Sequence, residues 1–186
     1  IRTRVRASMP TPSSDCISDW ALDIQRGAVN RDMILTELMK QPTIGYEVIM
    51  TILENKEKFR LEEPIVLRDN QRSSIVREAL AHGHMNVAMF FIDYVDELNL
   101  KLFTYTKEDP NFGVPMNELY LALRRRDASR SFIDQLLDLY ESVPSHHVQG
   151  YAALAVLRGD MQLANHLIGY ETVKKSNRGQ KRQRGD

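Results

Sequence analysis

The stretch Arg68-Asp69-Asn70-Gln71-Arg72-Ser73-Ser74-Ile75-Val76-Arg77-Glu78-Ala79-Leu80-Ala81-His82-Gly83-His84-Met85-Asn86-Val87-Ala88-Met89-Phe90-Phe91-Ile92 decides how the chain is read. Its punctuation is that of a helix-turn-helix. Ser73 and Ser74 offer side-chain oxygens to the unpaired N–H groups at a helix start, and Gly83 tolerates the left-handed conformation that ends a helix. Val87, Phe90 and Phe91 then give the next helix an apolar face. A helical pair this short cannot bury that face alone, so the same punctuation is expected elsewhere in the chain.

It recurs downstream. Residues 150–168 contain Ala155, Gly159-Asp160 and an apolar run from Leu163 to Ile168, and residues 117–123 form another first helix with Ala122 small enough for close packing. There Arg126-Asp127 replaces the Gly-His pair, and the second helix is expected from Phe132. Upstream, residues 18–38 carry Trp20, Ala21, Ile24, Val29, Met33, Ile34 and Leu38 around Gly27, which reads as a weaker unit or an N-terminal cap. Aligned on positions 27, 83, 126 and 159, the steps are 56, 43 and 33 residues. Two segments account for the irregular steps. Residues 44–59 carry Val48, Ile49, Ile52 and Leu53 at helical spacing and are expected as an inserted helix, with 61–67 as a connection. Residues 107–113, Lys-Glu-Asp-Pro-Asn-Phe-Gly, form a strong turn signal.

The central stretch resembles an ankyrin repeat. Asp69, Ser74, Ala79, Gly83-His84 and the run from Val87 to Ile92 fall where that family has its turn Asp, its Thr-Pro-Leu-His cap, its small-residue helix, its Gly-His turn and its second helix. Ile75-Val76-Arg77 stands in place of Pro-Leu-His, so the copy is degenerate. The resemblance covers roughly residues 66–170, and 18–40 more weakly; other solenoids of helical pairs share the same features. It implies an all-α, ankyrin-like solenoid of about three to four stacked helical pairs over residues 15–173, with short finger loops between disordered basic segments at 1–14 and 174–186. It also implies binding to another protein as adaptor, scaffold or inhibitor.

Composition narrows the function classes. The chain has 186 residues, 42% of them hydrophobic, with nine Gly, seven Pro and one Cys. That length buries a core without disulfides, and Cys16 by itself suits a reducing compartment. No apolar run approaches the roughly 18 residues of a membrane span, and the N-terminus lacks the apolar core of a secretory signal. Cationic and anionic side chains number 25 each; setting aside Arg2, Arg4, Arg6, six tail cations and Asp186 leaves 16 against 24. An acidic body between basic ends argues against broad nucleic-acid binding by the folded part. Residues 1–14 collect Arg, Pro, Ser and Thr and are expected to be disordered. The tail residues Lys174, Lys175, Lys181, Arg182 and Arg184 resemble a bipartite nuclear localisation signal with a short spacer, which implies an import receptor as partner and an intracellular, nuclear location. The alternative for the basic ends is contact with RNA or DNA while the folded part recruits partners.

No enzyme signature is present: the chain lacks a Gly-rich phosphate loop, a Gly-x-Ser-x-Gly elbow and a His-Glu-x-x-His helix. His82 with His84, and His146 with His147, do not have the ligand number or spacing of a structural zinc site, and Cys16 has no partner fixed near it, so no metal or cofactor is expected. The candidate binding residues fall in two groups. Arg26, His82, Arg125 (with Arg124 beside it) and Arg158 precede the turn positions and would stack as a basic column on the inner face, suited to an acidic peptide or helix. The competing reading is that cations at helix C-termini complement the helix dipole. The second group is the fingers: Arg68, Asp69, Gln71 and Arg72 in one turn, Lys107, Asp109, Asn111 and Phe112 in the other. Phe112 is a candidate aromatic anchor or a residue tucked under its own loop.

Overall fold

The computed structural model describes residues 12–169. Helix α1 (Ser14–Gln25) starts where the Ser13 hydroxyl accepts the Cys16 N–H at 3.3 Å. Ser14, expected at the end of a disordered segment, is therefore helical, and residues 1–11 of that segment lie outside the described residues. Pro12 is buried, Ile17 is wholly buried, and Cys16 sits in the first turn of the helix. Gly27, at φ +75°, turns the chain into α2 (Arg31–Met39), capped by Asn30. The inserted segment is two helices, α3 (Tyr46–Glu54) and the one-turn α4 (Lys56–Phe59), divided at Asn55.

The central stretch folds as its local chemistry dictates. Strands β1 (Ile65–Val66) and β2 (Arg72–Ser73) pair antiparallel, Ile65 opposite Ser73, and lift residues 67–71 as a finger. Ser74 accepts the Arg77 N–H at 2.9 Å to open α5 (Ile75–Ala81), Gly83 takes φ +86°, and α6 (Met85–Ile92) follows. The one-turn α7 (Val95–Leu98) leads to a second hairpin, β3 (Glu108–Asp109) with β4 (Val114–Pro115). Asn117 then caps α8 (Glu118–Leu123). Helix α9 (Arg130–Leu139) begins two residues before Phe132, because the Ser129 hydroxyl accepts the Phe132 N–H at 3.1 Å. Helix α10 (Ser145–Leu157) begins five residues before Gly150, which lies inside it, and α11 spans 161–169. The described part is mostly helical, with the strand confined to these two hairpins.

Successive first helices pack side by side. α5 lies between α2 and α8, α8 packs on α10, and α6 packs on α9. The member of this row that precedes α5 is α2 rather than α1. His84 Nε2 reaches Met39 O, at the end of α2, over 2.8 Å, and Asn86 donates to Ile44 O at the entrance to α3 over 3.0 Å. Thus α3 stands beside α6, while α1 packs on α3 and α4. The first helices end at Met39, Ala81, Leu123 and Leu157, giving steps of 42, 42 and 34 residues. This corrects the alignment on Gly27, whose local chemistry is that of the other turns but whose helices sit elsewhere. The two long steps share one connection: after α4 and after α7 a left-handed residue, Arg60 (φ 47°) and Asn99 (φ 51°), is followed by buried Leu61 and Leu100.

A polar seam joins α5 to α8. Glu118 is fully buried; its carboxylate accepts from the Ser74 hydroxyl at 2.7 Å and from the Phe103 N–H at 2.9 Å. Burial pushes the Glu118 carboxyl above its ordinary range against the pull of these two donors. Beside it, Arg77 donates to Met116 O (2.7 Å) and to Glu78 (3.0 Å), with its guanidinium 3.5 Å from the centre of the Tyr105 ring. The seam fixes how one helical pair sits on the next, since the Ser74–Glu118, Phe103–Glu118 and Arg77–Met116 bonds each join different parts of the chain.

Candidate functional site

The second finger is built from its own backbone upward. Asp109 accepts the Asn111 N–H on its side chain at 2.9 Å and the Gly113 N–H on its carbonyl at 2.8 Å, an Asx turn that closes the loop. The Tyr120 hydroxyl on α8 donates to the same carboxylate, and Arg124, one turn on, donates to the Tyr120 oxygen at 2.9 Å and lies 3.7 Å from Asp109. The Tyr120 hydrogen bond, then the Asn111 N–H, then the charge of Arg124 hold the Asp109 carboxyl below its usual range, with burial opposing. Burial and the Asp109 contact raise the Tyr120 phenol. The finger rests on α10 at Gly150, where an added Cβ would lie 2.3 Å from the Phe112 carbonyl oxygen and 2.5 Å from Val114 Cγ1.

This seating leaves a groove of about 470 Å³ between the finger and helices α8 and α10. Phe112, Leu123, Leu154 and Leu157 supply its apolar lining, and Asn111, Arg124, Arg126 and Arg158 its polar edge. Leu157 is 72% exposed, and Phe112 is half-buried where it lines the groove. A recess of this volume suits an apolar side chain with its flanking backbone. A second recess, about 640 Å³, lies between the first finger and α2, lined by Met33, Glu37, Lys40, Val66, Arg68 and Asp69. Its charges are mixed, and Lys40 and Glu37 pair with each other at 3.0 Å.

The structure separates the sequence candidates. Arg124 and Arg158 meet Asn111 and Phe112 at the groove, while Arg68 and Asp69 line the other recess. Gln71 accepts from Thr106 and Lys107 N–H groups at 3.0 and 3.3 Å, and Arg72 O accepts from Thr104, so this side of the first finger ties to the segment entering the second. The supposed basic column is divided. Arg26 closes α1, outside the row of first helices, and His82 is exposed at the end of α5. Arg125 is clamped by Asp127 at 2.8 and 2.6 Å and reaches Leu80 O at 3.4 Å. Arg158 donates to Ala122 O (3.4 Å), Arg125 O (3.2 Å) and Ala128 O (2.7 Å). These cations complement carbonyls at the C-terminal end of the preceding first helix, the same relation that His84 has to Met39. Lys174, Lys175, Lys181, Arg182 and Arg184 lie outside the described residues.

Sequence reasoning missed Leu123, Leu154, Leu157, Tyr120 and Gly150 as parts of one site. Only Gly150 left a local signal, a glycine inside a helical run that needs a packing reason. The division of the cations makes a first prediction. Arg158→Ala is expected to cost about 1–3 kcal/mol by leaving carbonyls short of a donor, and Arg126→Ala less than about 0.5 kcal/mol. Urea unfolding of the two variants checks this; equal midpoints would show that Arg158 does not brace the stack.

Among the described residues no three His, Cys, Asp or Glu side chains converge as metal ligands, and no helix is long and apolar enough to cross a membrane. No family model matches the chain, and no curated protein or solved structure matches it.

Proposed function

We propose that the chain is a noncatalytic, ankyrin-like interaction module that receives an acidic helix or peptide from another protein in the groove beneath the second finger. The observation that carries this reading is the composition of the groove: exposed Leu157 beside half-buried Phe112, over the buried Leu123 and Leu154, edged by guanidinium groups of one sign on a body that is otherwise acidic. Opposed charge at a rim steers a partner and selects its register, while the apolar centre supplies most of the binding energy. Stacked helical pairs with projecting hairpins and turn-borne cations support the ankyrin-like description. In this reading the basic segment at 174–184 serves nuclear import.

The test is selection of a displayed random peptide library on the immobilised full chain. Peptides with carboxylates flanking one large apolar residue are expected to be enriched. Arg126→Glu is expected to weaken the selected peptides by about 10-fold or more while leaving the thermal transition near wild type. Arg124→Glu is expected to weaken them and also to lower the transition, since it sets a second carboxylate beside Asp109. A selection with no acidic bias, or one indifferent to these reversals, would end the proposal.

A further inference from the structure

Where the chain leaves α7 for the second finger it borders the end of α9, and a recess of about 550 Å³ lies between them. One wall is an aromatic pair. Phe103 and Tyr140 stack with ring centres 4.2 Å apart and planes 27° from parallel, and both stay partly exposed. Phe103 takes φ +61°, which a bulky residue adopts only where its surroundings fix it, and its N–H donates to the buried Glu118 carboxylate at 2.9 Å. The pair is thus held in place by the polar seam. Leu139 continues the apolar wall, and Asp96, Asp138 and Glu141, all exposed, stand at its edge. Lys101 is the one cation among the lining residues, and its ammonium donates to Asn99 at 2.9 Å. The recess at the first finger differs, since there Asp32 pairs with Arg31 at 2.6 Å and Glu37 with Lys40 at 3.0 Å. Among the described residues, neither Asp96 nor Asp138 is in an ion pair.

We infer that this recess binds an arginine side chain carried on a basic segment of another protein, with the guanidinium against the Phe103 and Tyr140 rings and its charge answered by Asp96 and Asp138. The molecule already contains the same combination. Buried Arg77 lies 3.5 Å from the centre of the Tyr105 ring and 3.0 Å from the Glu78 carboxylate. The recess sets out rings and carboxylates in the same way, with no guanidinium among its lining residues. Charge and shape select the occupant together. Three carboxylates against one engaged ammonium repel an acidic peptide or a nucleic-acid phosphate, and an acidic body draws a cation in from a distance. Aromatic faces attract a guanidinium through their quadrupole, and its plane is more weakly hydrated than an ammonium. An arginine therefore satisfies both the rings and the edge, whereas a lysine satisfies chiefly the edge. The volume accommodates one such side chain with its flanking backbone. This site shares no lining residue with the groove under the second finger, so the two are independent.

The experiment is selection of a displayed random peptide library on the full chain, with counter-selection on the full chain carrying Asp96→Asn and Asp138→Asn. Both positions are exposed, so this variant is expected to melt within about 2 °C of wild type. Peptides kept by wild type and lost by the variant are expected to carry an arginine beside a second cation, and to bind the variant about 10-fold or more weakly. Within such a peptide, exchanging the arginine for lysine is expected to cost about 3-fold, and for uncharged citrulline about 10-fold or more. Asp15→Asn with Asp19→Asn, which removes the same charge from α1, is expected to leave the affinity within about 2-fold, as is Arg126→Glu at the groove. If no peptide class depends on Asp96 and Asp138, or the dependent class lacks arginine, the inference is overturned. It is overturned as well if replacing Lys174, Lys175, Lys181, Arg182 and Arg184 by Gln tightens binding about 10-fold or more in a manner that Asp96→Asn and Asp138→Asn abolish. That result would make the chain's own basic segment the occupant.

Discussion

Gly150→Ala is expected to lower stability by about 2–3 kcal/mol, even though alanine is favoured over glycine within a helix by about 1 kcal/mol. The added methyl group would sit 2.3 Å from the Phe112 carbonyl oxygen and 2.5 Å from Val114 Cγ1. The first of these is backbone, held by the β3–β4 ladder and the Asp109 turn, so it cannot swing aside as a side chain would. Either α10 or the finger has to move, and both walls of the groove go with it. For a protein of this length the loss corresponds to a fall in the unfolding temperature of about 5–10 °C. Gly169→Ala, with nothing within 4 Å of its added Cβ, is expected to melt within about 2 °C of wild type. Parallel scanning calorimetry of the two variants makes the comparison. If Gly150→Ala melts with Gly169→Ala, the finger does not rest on α10 and the groove loses one wall. Peptide binding in the surviving folded fraction of Gly150→Ala is expected to fall with it.

The second large effect is expected at Arg31. Its side chain, 4% exposed, donates through Nε to Phe59 O (2.6 Å) and through Nη2 to Arg60 O (2.7 Å) and Glu63 O (2.6 Å). Its Nη1 reaches Pro64 O at 3.1 Å and Asp32 at 2.6 Å. Burial lowers the Arg31 pKa, opposed by Asp32, yet it lowers it from so high a starting value that the group stays charged. Arg31→Met would leave four carbonyls of residues 59–64 without this donor and is expected to cost about 3–5 kcal/mol. Arg31→Lys is expected to restore less than half of that, because an ammonium on a flexible stem cannot span four acceptors arranged for a planar fork. Chemical denaturation of both variants checks the order Met below Lys below wild type. A lysine variant as stable as wild type would mean that charge alone, not the fork, holds the segment that leads into the first finger.

The helix punctuation around Ser74, Gly83, Asn117 and Gly159 was legible because each device acts within three or four residues of itself. A cap needs only a side-chain oxygen and the N–H groups just ahead, and a left-handed turn needs only the absent Cβ. Both fingers were legible for the same reason, since Asp69 and Asp109 each bond the N–H two residues on. Their short ladders were not, because a two-residue strand leaves no alternating pattern. The start of α1 was placed too late because Pro and Ser before it were read as disorder, whereas Pro12 is buried and Ser13 is a cap.

What the sequence alone determined is therefore the helical class, the caps and turns around Ser74, Gly83, Asn117 and Gly159, and the two turns that project as fingers. The tertiary structure decided which helix stands beside which. Gly27 and Gly83 are equivalent as turns, but α2 faces α5 because its end meets His84, while the apolar side of α1 is taken by α3 and α4. It also decided what the cations do. From the chain, Arg125 and Arg158 are positive charges at helix ends; only the packing shows that they answer carbonyls of the preceding helix, leaving Arg124 and Arg126 at the groove. The reason is physical: hydrogen bonds within a turn depend on residues a few positions apart, whereas a groove made by Phe112, Leu123 and Leu157 exists only where separate elements come together.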